Sequence, residues 1–292
     1  MTTLHLLDGT YELFRSHFGA PPRQTSEGWE IGAVSGLMSS TLSLLDGGEV
    51  THIGAAFDSV IESFRNDMFD GYKTGEGTPP ELYAQFPVAE RAMVAMGVTV
   101  WSMIEHEADD GLASAAVKFV GEVDRVVIMS PDKDMTQLFG NPKIVGYDRR
   151  KGVFIDADGT REKFGVSPES IPDYLGLVGD TADGIPGLPG WGAKSAGTLL
   201  ARYGHLDAIP ASEDDWDVKV RSAANLAAIL RDRMDDALLY RDLATLRSDA
   251  DIPQALSDLE WKGVDRDAYE SLCDELGFTG LRTRPSRWFG ED

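Results

Sequence analysis

The sequence predicts an α/β fold: a mostly parallel sheet flanked by helices, joined to a smaller helical region. Three observations predict it. Short apolar runs alternate with helical stretches over the first two-thirds of the chain, the pattern of strands buried on both faces between crossover helices. These runs stop at acidic or turn residues. After about Asp173 the strand signal fades, and a Gly- and Pro-rich stretch from Gly176 to Gly192 leads into helical patterns that run to the end.

In chain order, Leu4–Leu7 is the first strand, halted by Asp8 and Gly9. Helical spacing follows over Ile31–Leu45. His52–Phe57 is the second strand and stops at Asp58. Val98–Ile104 is the third, followed by an acidic cluster and a helix over Ala108–Val120. Arg125–Met129 is the fourth, ending in Ser130-Pro131-Asp132-Lys133-Asp134, and Lys143–Tyr147 is the fifth. Phe64 to Pro80 is polar, Gly-containing and locally basic, which predicts a mobile loop or arch between two core elements. A helix over Ala196–Tyr203 follows the Gly-rich stretch. The expected division is a core over 1–173 and a helical region over 174–292.

Composition narrows the function classes. The 292 residues are 42% hydrophobic and 26% charged, an ordinary globular balance. No apolar run approaches the ~18 residues of a membrane helix, and the N-terminus lacks the basic start and apolar stretch of a signal peptide. A single cysteine, Cys273, rules out an internal disulfide framework. A cytoplasmic protein with no membrane partner is expected. The formal charge of −22 argues against a generic nucleic-acid binder, which should be basic. It suits carboxylates gathered around cations.

Such carboxylates sit where the predicted strands end. Asp8 follows the first strand and Asp58 the second. Glu107, Asp109 and Asp110 open the helix after the third, and Asp132 and Asp134 follow the fourth. In a parallel sheet these ends share one edge, where ligands bind. Asp180 and Asp183, in the Gly-rich segment, could join from the helical side. Nine acids at close range require protons or cations among them. Oxygen-only ligands select Mg²⁺ or Mn²⁺, and two such ions can activate a water and hold the leaving oxygen of a phosphodiester. Each acid taken alone also reads as an ordinary cap or surface group, and Asp109 and Asp110 suit a helix N-terminus. An aspartyl-phosphate phosphatase would need a second Asp two residues after Asp8, where Thr10 stands.

The segment Gly184 to Ser195 superficially suggests a P-loop, but Ala193 separates Gly192 from Lys194, and no strand precedes it. A turn between helices fits better, with Gly187, Gly190 and Gly192 letting backbone N–H groups approach a phosphate and Lys194 adding charge. The histidines, His5, His17, His52, His106 and His205, show no metal-ligand spacing.

With these residues in view the chain resembles the bacterial 5′-nuclease family, which includes the 5′-exonuclease domain of DNA polymerase I and the flap endonucleases. The carrying motifs are Leu7-Asp8-Gly9 with Arg15, Phe57-Asp58, Ser63-Phe64-Arg65 with Gly71-Tyr72-Lys73, and Glu107-Ala108-Asp109-Asp110. Asp132-Lys133-Asp134 with Gln137-Leu138 follows, then Gly179 to Gly187 leading to Gly190 and Lys194. The resemblance implies a PIN-like nuclease core with a helical arch around 64–97, and a helix–three-turn–helix element that holds duplex DNA and often a K⁺ ion. It implies that all nine acids ligate two or more Mg²⁺ or Mn²⁺ ions. Arg65, Tyr72 and Lys73 would lie in the arch, with Arg15, Arg65 and Lys73 acting on the scissile phosphate. Glu76 stands where the family has an Arg. The implied protein is a stand-alone, monomeric, nucleoid-associated 5′-3′ exonuclease and flap endonuclease. It would act on 5′ flaps, nicks and 5′ ends, with replication or repair proteins as partners. A catalytically weak DNA-structure binder and a PIN-type ribonuclease are the rival readings. The full acid set argues against the first, and the Gly-rich turn against the second.

Overall fold

The computed structural model describes residues Met1 to Glu291. In chain order, β1 (Thr3–Asp8) leads into α1 (Gly9–Gly19) and α2 (Gly32–Leu45). β2 (His52–Asp58), α3 (Phe64–Met68), α4 (Pro80–Tyr83) and α5 (Phe86–Ala95) follow. β3 (Thr99–Met103), α6 (Ala108–Phe119) and β4 (Arg125–Met129) come next, then β5 (Ile144–Asp148) and β6 (Val153–Ile155). The rest is helical: α7 (Ala157–Phe164), α8 (Ile171–Val178), α9 (Ala193–Tyr203), α10 (Ala223–Asp232), α11 (Met234–Ala244), α12 (Arg266–Leu276) and α13 (Thr279–Arg282). No helix among the described residues is long and apolar enough to cross a membrane.

The chain forms two compact units that interleave in sequence. The first takes Met1–Ile61, Gly75–Ser130 and the chain from Arg247 on; the second takes Glu62–Thr74 and Pro131–Leu246.

In the first unit four strands pair in parallel in the order β3-β2-β1-β4. Their side chains are buried on both faces: Leu4, Leu6 and Leu7 of β1, and Ala55, Ala56 and Phe57 of β2, are fully buried. That is why these strands read as continuous apolar runs rather than as alternating ones. Gly9 makes the turn out of β1 possible, since a Cβ there would lie 2.4 Å from the Phe57 ring. Asp8 is thereby held at the carboxyl end of the central strand, opposite Ala56. The segment from Arg247 on returns to this unit, with Trp261 N donating to Thr51 O at 2.9 Å and Trp261 Nε1 to Met96 O at 2.9 Å. Cys273 packs in its core.

The second unit holds the antiparallel pair β5–β6 and helices α7 to α11. Its core includes Ile171, Leu175, Ile185, Trp191, Leu199 and Leu230. The mixed, mostly parallel α/β architecture is the expected one. The segment expected as an arch over 64–97 is not one element. Residues up to Thr74 belong to the second unit, whereas α5 buries Phe86, Ala89, Ala92 and Met93 in the first. An apolar stripe at helical spacing has pulled that stretch into the core.

Candidate metal and nucleic-acid site

Each unit carries its own set of carboxylates. In the first, Asp8 is the N-cap of α1: its Oδ1 accepts from Tyr11 N at 2.8 Å, and its Oδ2 from the Ser130 hydroxyl at 2.8 Å. Asp58, at the end of β2, accepts from Ala108 N at 2.7 Å and so reaches the start of α6. Asp110 is fully buried, and its oxygens accept from Glu107 N at 3.1 Å and Arg247 N at 2.8 Å. Capping and clustering are the same event here. The strand ends and the α6 N-terminus carry Asp8, Asp58, Glu107 and Asp110, each accepting from a backbone amide, with Asp109 in the first turn of α6. Arg15 pairs with the buried Glu12, a residue that sequence reasoning missed.

In the second unit Asp134, Asp180 and Asp183 are all buried, and one ligand oxygen from each lies within 4.8 Å of the others. Asp134 opens a 3₁₀ turn, with its N–H on Asp132 Oδ1 at 3.1 Å. Asp180 and Asp183 sit in a tight turn after α8, closed by paired bonds between Asp180 and Ile185 of 2.8 and 2.7 Å. Lys133 Nζ lies 2.5 Å from Asp180 Oδ2, and Lys73 Nζ lies 2.8 Å from Asp183 Oδ1. Burial pushes the Asp134 carboxyl well above the usual carboxylate range, and Asp132, Asp183 and Asp180 add to the effect. Burial also raises Asp183, with Lys73 opposing it. Burial works to lower Lys133, but Asp180, Asp134 and Asp132 together outweigh it and the ammonium is held above its ordinary value.

This donor set fits a hard divalent cation. It is oxygen-only, its carboxylates mutually destabilise one another, and Asp134 Oδ1 is buried without a hydrogen-bond partner. A buried acid group that is pushed up and has an unsatisfied acceptor is a candidate functional position.

The glycine-rich turn joins α8 to α9, as the sequence suggests. Its glycines differ in kind. Gly187 has φ +67°, and a Cβ there would lie 2.4 Å from Gly179 N, so that glycine is required by the turn's own packing and not by a ligand. Gly190 needs its left-handed φ of +79°. Gly192 faces open space, beside the exposed Lys194 at the start of α9. Trp191 is buried in the core.

Two expected arch residues are packed rather than presented. Arg65 is 2% exposed; its Nε donates to Leu243 O at 2.8 Å and its Nη2 to Thr245 O at 3.0 Å. It caps the C-terminus of α11, where a cation complements the helix dipole. Tyr72 lies in the hydrophobic core of the second unit. Lys73, by contrast, is anchored through its backbone N–H to Asp183 O at 3.0 Å and keeps a partly exposed side chain. Lys133 was visible only as the middle of an Asp-Lys-Asp run. Gln137 bonds Ala244 O at 3.1 Å and Leu246 N at 3.0 Å, a second lock on the end of α11.

Residues 3–165 match the 5′-3′ exonuclease N-terminal resolvase-like domain, and residues 166–267 match the 5′-3′ exonuclease C-terminal SAM fold. The chain belongs to the 5′-3′ exonuclease family. It is 32% identical over 282 residues to a 5′-3′ exonuclease of Aquifex aeolicus, covering 96% of this chain and 94% of that protein. It is 35% identical over 280 residues to DNA polymerase I of Bacillus caldotenax, covering 94% of this chain but only 31% of the polymerase. The chain thus spans about a third of the length of the polymerases that it matches. Among solved structures, a bacteriophage T5 flap endonuclease in complex with DNA and metal ions superposes with a TM-score of 0.67 at 16% identity, over 97% of each chain.

Proposed function

We propose that this protein is a metal-dependent, structure-selective DNA nuclease. It acts as a 5′-3′ exonuclease and flap endonuclease on 5′ flaps, nicks and 5′ ends, leaving 5′-phosphate and 3′-hydroxyl products. The observation that carries the reading is the buried Asp134–Asp180–Asp183 cluster with its unpartnered Asp134 oxygen. Family membership supports the reaction class, and the DNA and metal ions in the T5 complex support the ligands.

Asp8, Asp58, Glu107, Asp109 and Asp110 in one unit, and Asp132, Asp134, Asp180 and Asp183 in the other, would hold two or more Mg²⁺ or Mn²⁺ ions. A divalent ion bound there would supply an activated water and neutralise charge on the phosphodiester. In the second unit Lys73 would meet a phosphate, whose oxygens gain charge in the transition state, and in the first unit Arg15 is a candidate phosphate contact. Gly192 and the α9 N-terminus, with Lys194, take a duplex phosphate without reading sequence. A K⁺ ion at the turn near Gly187 and Gly190 would complete that contact. Arg65 and Tyr72 act indirectly, by packing the segment that delivers Lys73. A monomer in the cytoplasm at the nucleoid, serving replication or repair, is the setting this activity implies.

The test is a labelled 5′-flap duplex incubated with Mg²⁺, Mn²⁺ or a chelator. Cleavage near the flap junction with either ion, abolished by the chelator, is the expected result. Cleavage that persists in chelator, or is confined to RNA, overturns the reading.

A further inference from the structure

Two lysines complicate the second acid cluster in a way that can be measured. Asp180 has both oxygens engaged: Oδ1 accepts from Ala182 N at 3.0 Å, and Oδ2 holds Lys133 Nζ at 2.5 Å. Asp183 Oδ1 holds Lys73 Nζ at 2.8 Å. The carboxylates are almost entirely buried, whereas the Lys133 and Lys73 side chains are 32% and 31% exposed. The lysines can therefore withdraw into water and the acids cannot. An ammonium is a compact point charge that competes for the same carboxylate oxygen as a hard cation.

We propose that Lys133 and Lys73 are resident counter-cations of the Asp132–Asp134–Asp180–Asp183 cluster, whose ammonium groups an incoming divalent ion must displace, so that they set the cluster's metal affinity. The inference rests on the metal-binding reading of this cluster. Its physical content is a balance. Two ammonium groups offset only part of the charge that four acid groups can carry, which leaves the cluster able to attract a cation yet lets the protein fold without one. Lys73 has a further part: once displaced from Asp183, it becomes available to a phosphate group. The same lysines read as mere orienting groups predict the opposite effect, because removing a hydrogen bond that aims a ligand oxygen weakens metal binding.

The experiment is a Mn²⁺ titration of the full chain without DNA, with free Mn²⁺ read by electron paramagnetic resonance. Lys133→Met and Lys73→Met should each bind Mn²⁺ about tenfold more tightly, the scale of one lost charged hydrogen bond. Lys133→Arg should stay near wild type. Lys219→Met, the same charge change at an exposed position, should shift affinity by less than about twofold. The tightening should vanish in an Asp134→Asn background. In chelator, Lys133→Met should melt lower than wild type, and Mn²⁺ should raise its melting temperature by more. If Lys133→Met does not fold, Lys133→Gln takes its place. Unchanged or weaker Mn²⁺ binding by the lysine variants, with wild-type binding intact, overturns the inference. If Asp134→Asn and Asp180→Asn leave the wild-type titration unaltered, the metal reading of the cluster fails instead.

Discussion

Replacing Asp134 by Asn should stabilise the metal-free protein while removing a metal ligand. Folding raises the Asp134 carboxyl, through burial first and then through Asp132, Asp183 and Asp180. A group whose folded pKa is raised favours folding below its unfolded value of ~4, and that contribution is lost as pH rises through the folded value. As pH rises toward neutrality, burying this carboxyl therefore counts increasingly against folding. Its ligand oxygen lies within 4.8 Å of those of Asp180 and Asp183. At an effective dielectric of ~20, each such pair would repel by about 3.5 kcal/mol when both groups are ionised. Lys133 and Lys73 offset most of this, and a buried Asn amide carries its own desolvation cost of ~1–3 kcal/mol. A net gain of about 1–2 kcal/mol remains, or a rise of ~2–6 °C in Tm for a chain of this size. Scanning calorimetry in chelator from pH 4 to 8 measures it. The gap between Asn variant and wild type should be widest at neutral pH and close toward pH 4. A lower Tm for Asp134→Asn at pH 7, or a gap that widens on acidification, refutes the reasoning.

Other consequences are as direct. Lys73→Ala should cut single-turnover flap cleavage at saturating enzyme by roughly 10²-fold and leave flap binding in Ca²⁺ nearly unchanged; recovery of the wild-type rate at saturation would reduce Lys73 to a binding residue. Arg65→Ala should destabilise the fold by ~2–4 kcal/mol, because the carbonyls of Leu243 and Thr245 lose their buried donors; a wild-type denaturant midpoint would show that the cap is dispensable. Gly192→Val and Lys194→Ala should weaken duplex binding at moderate salt, and the lysine change should also flatten its salt dependence; unaltered fluorescence-anisotropy titrations would count against the α9 N-terminus as a phosphate site.

The strand ends were legible because two signals coincide in them. A strand buried on both faces is an unbroken apolar run, and an acid that stops the run marks the carboxyl edge of the sheet, as Asp8 and Asp58 do. The turn around Asp180 was legible from its glycines. Arg65 and Tyr72, a basic residue and an aromatic in a polar segment, read in the sequence as ligand contacts, and their burial was not legible there. Their burial is decided by partners far along the chain: Arg65 meets Leu243 across 178 residues. No local pattern encodes such a cap. Nor does an Asp-Lys-Asp run disclose that the middle residue pairs with Asp180. The helix α5 was hidden for a related reason, since its apolar stripe is short and lies next to a stretch of loop composition.

The central claim is that buried carboxylates make this protein a metal-dependent nuclease, and single-turnover cleavage of a 5′-flap duplex in Mg²⁺ by Asp180→Asn tests it most directly. Asp180 is 2% exposed and belongs to the clustered trio, so on the proposed reading its loss would remove a ligand of the cation that the reaction would use. With circular dichroism showing a folded protein at the assay temperature, the account predicts a rate at least about 10²-fold below wild type. A well-folded Asp180→Asn protein that cleaves the flap within a few-fold of the wild-type rate would contradict it.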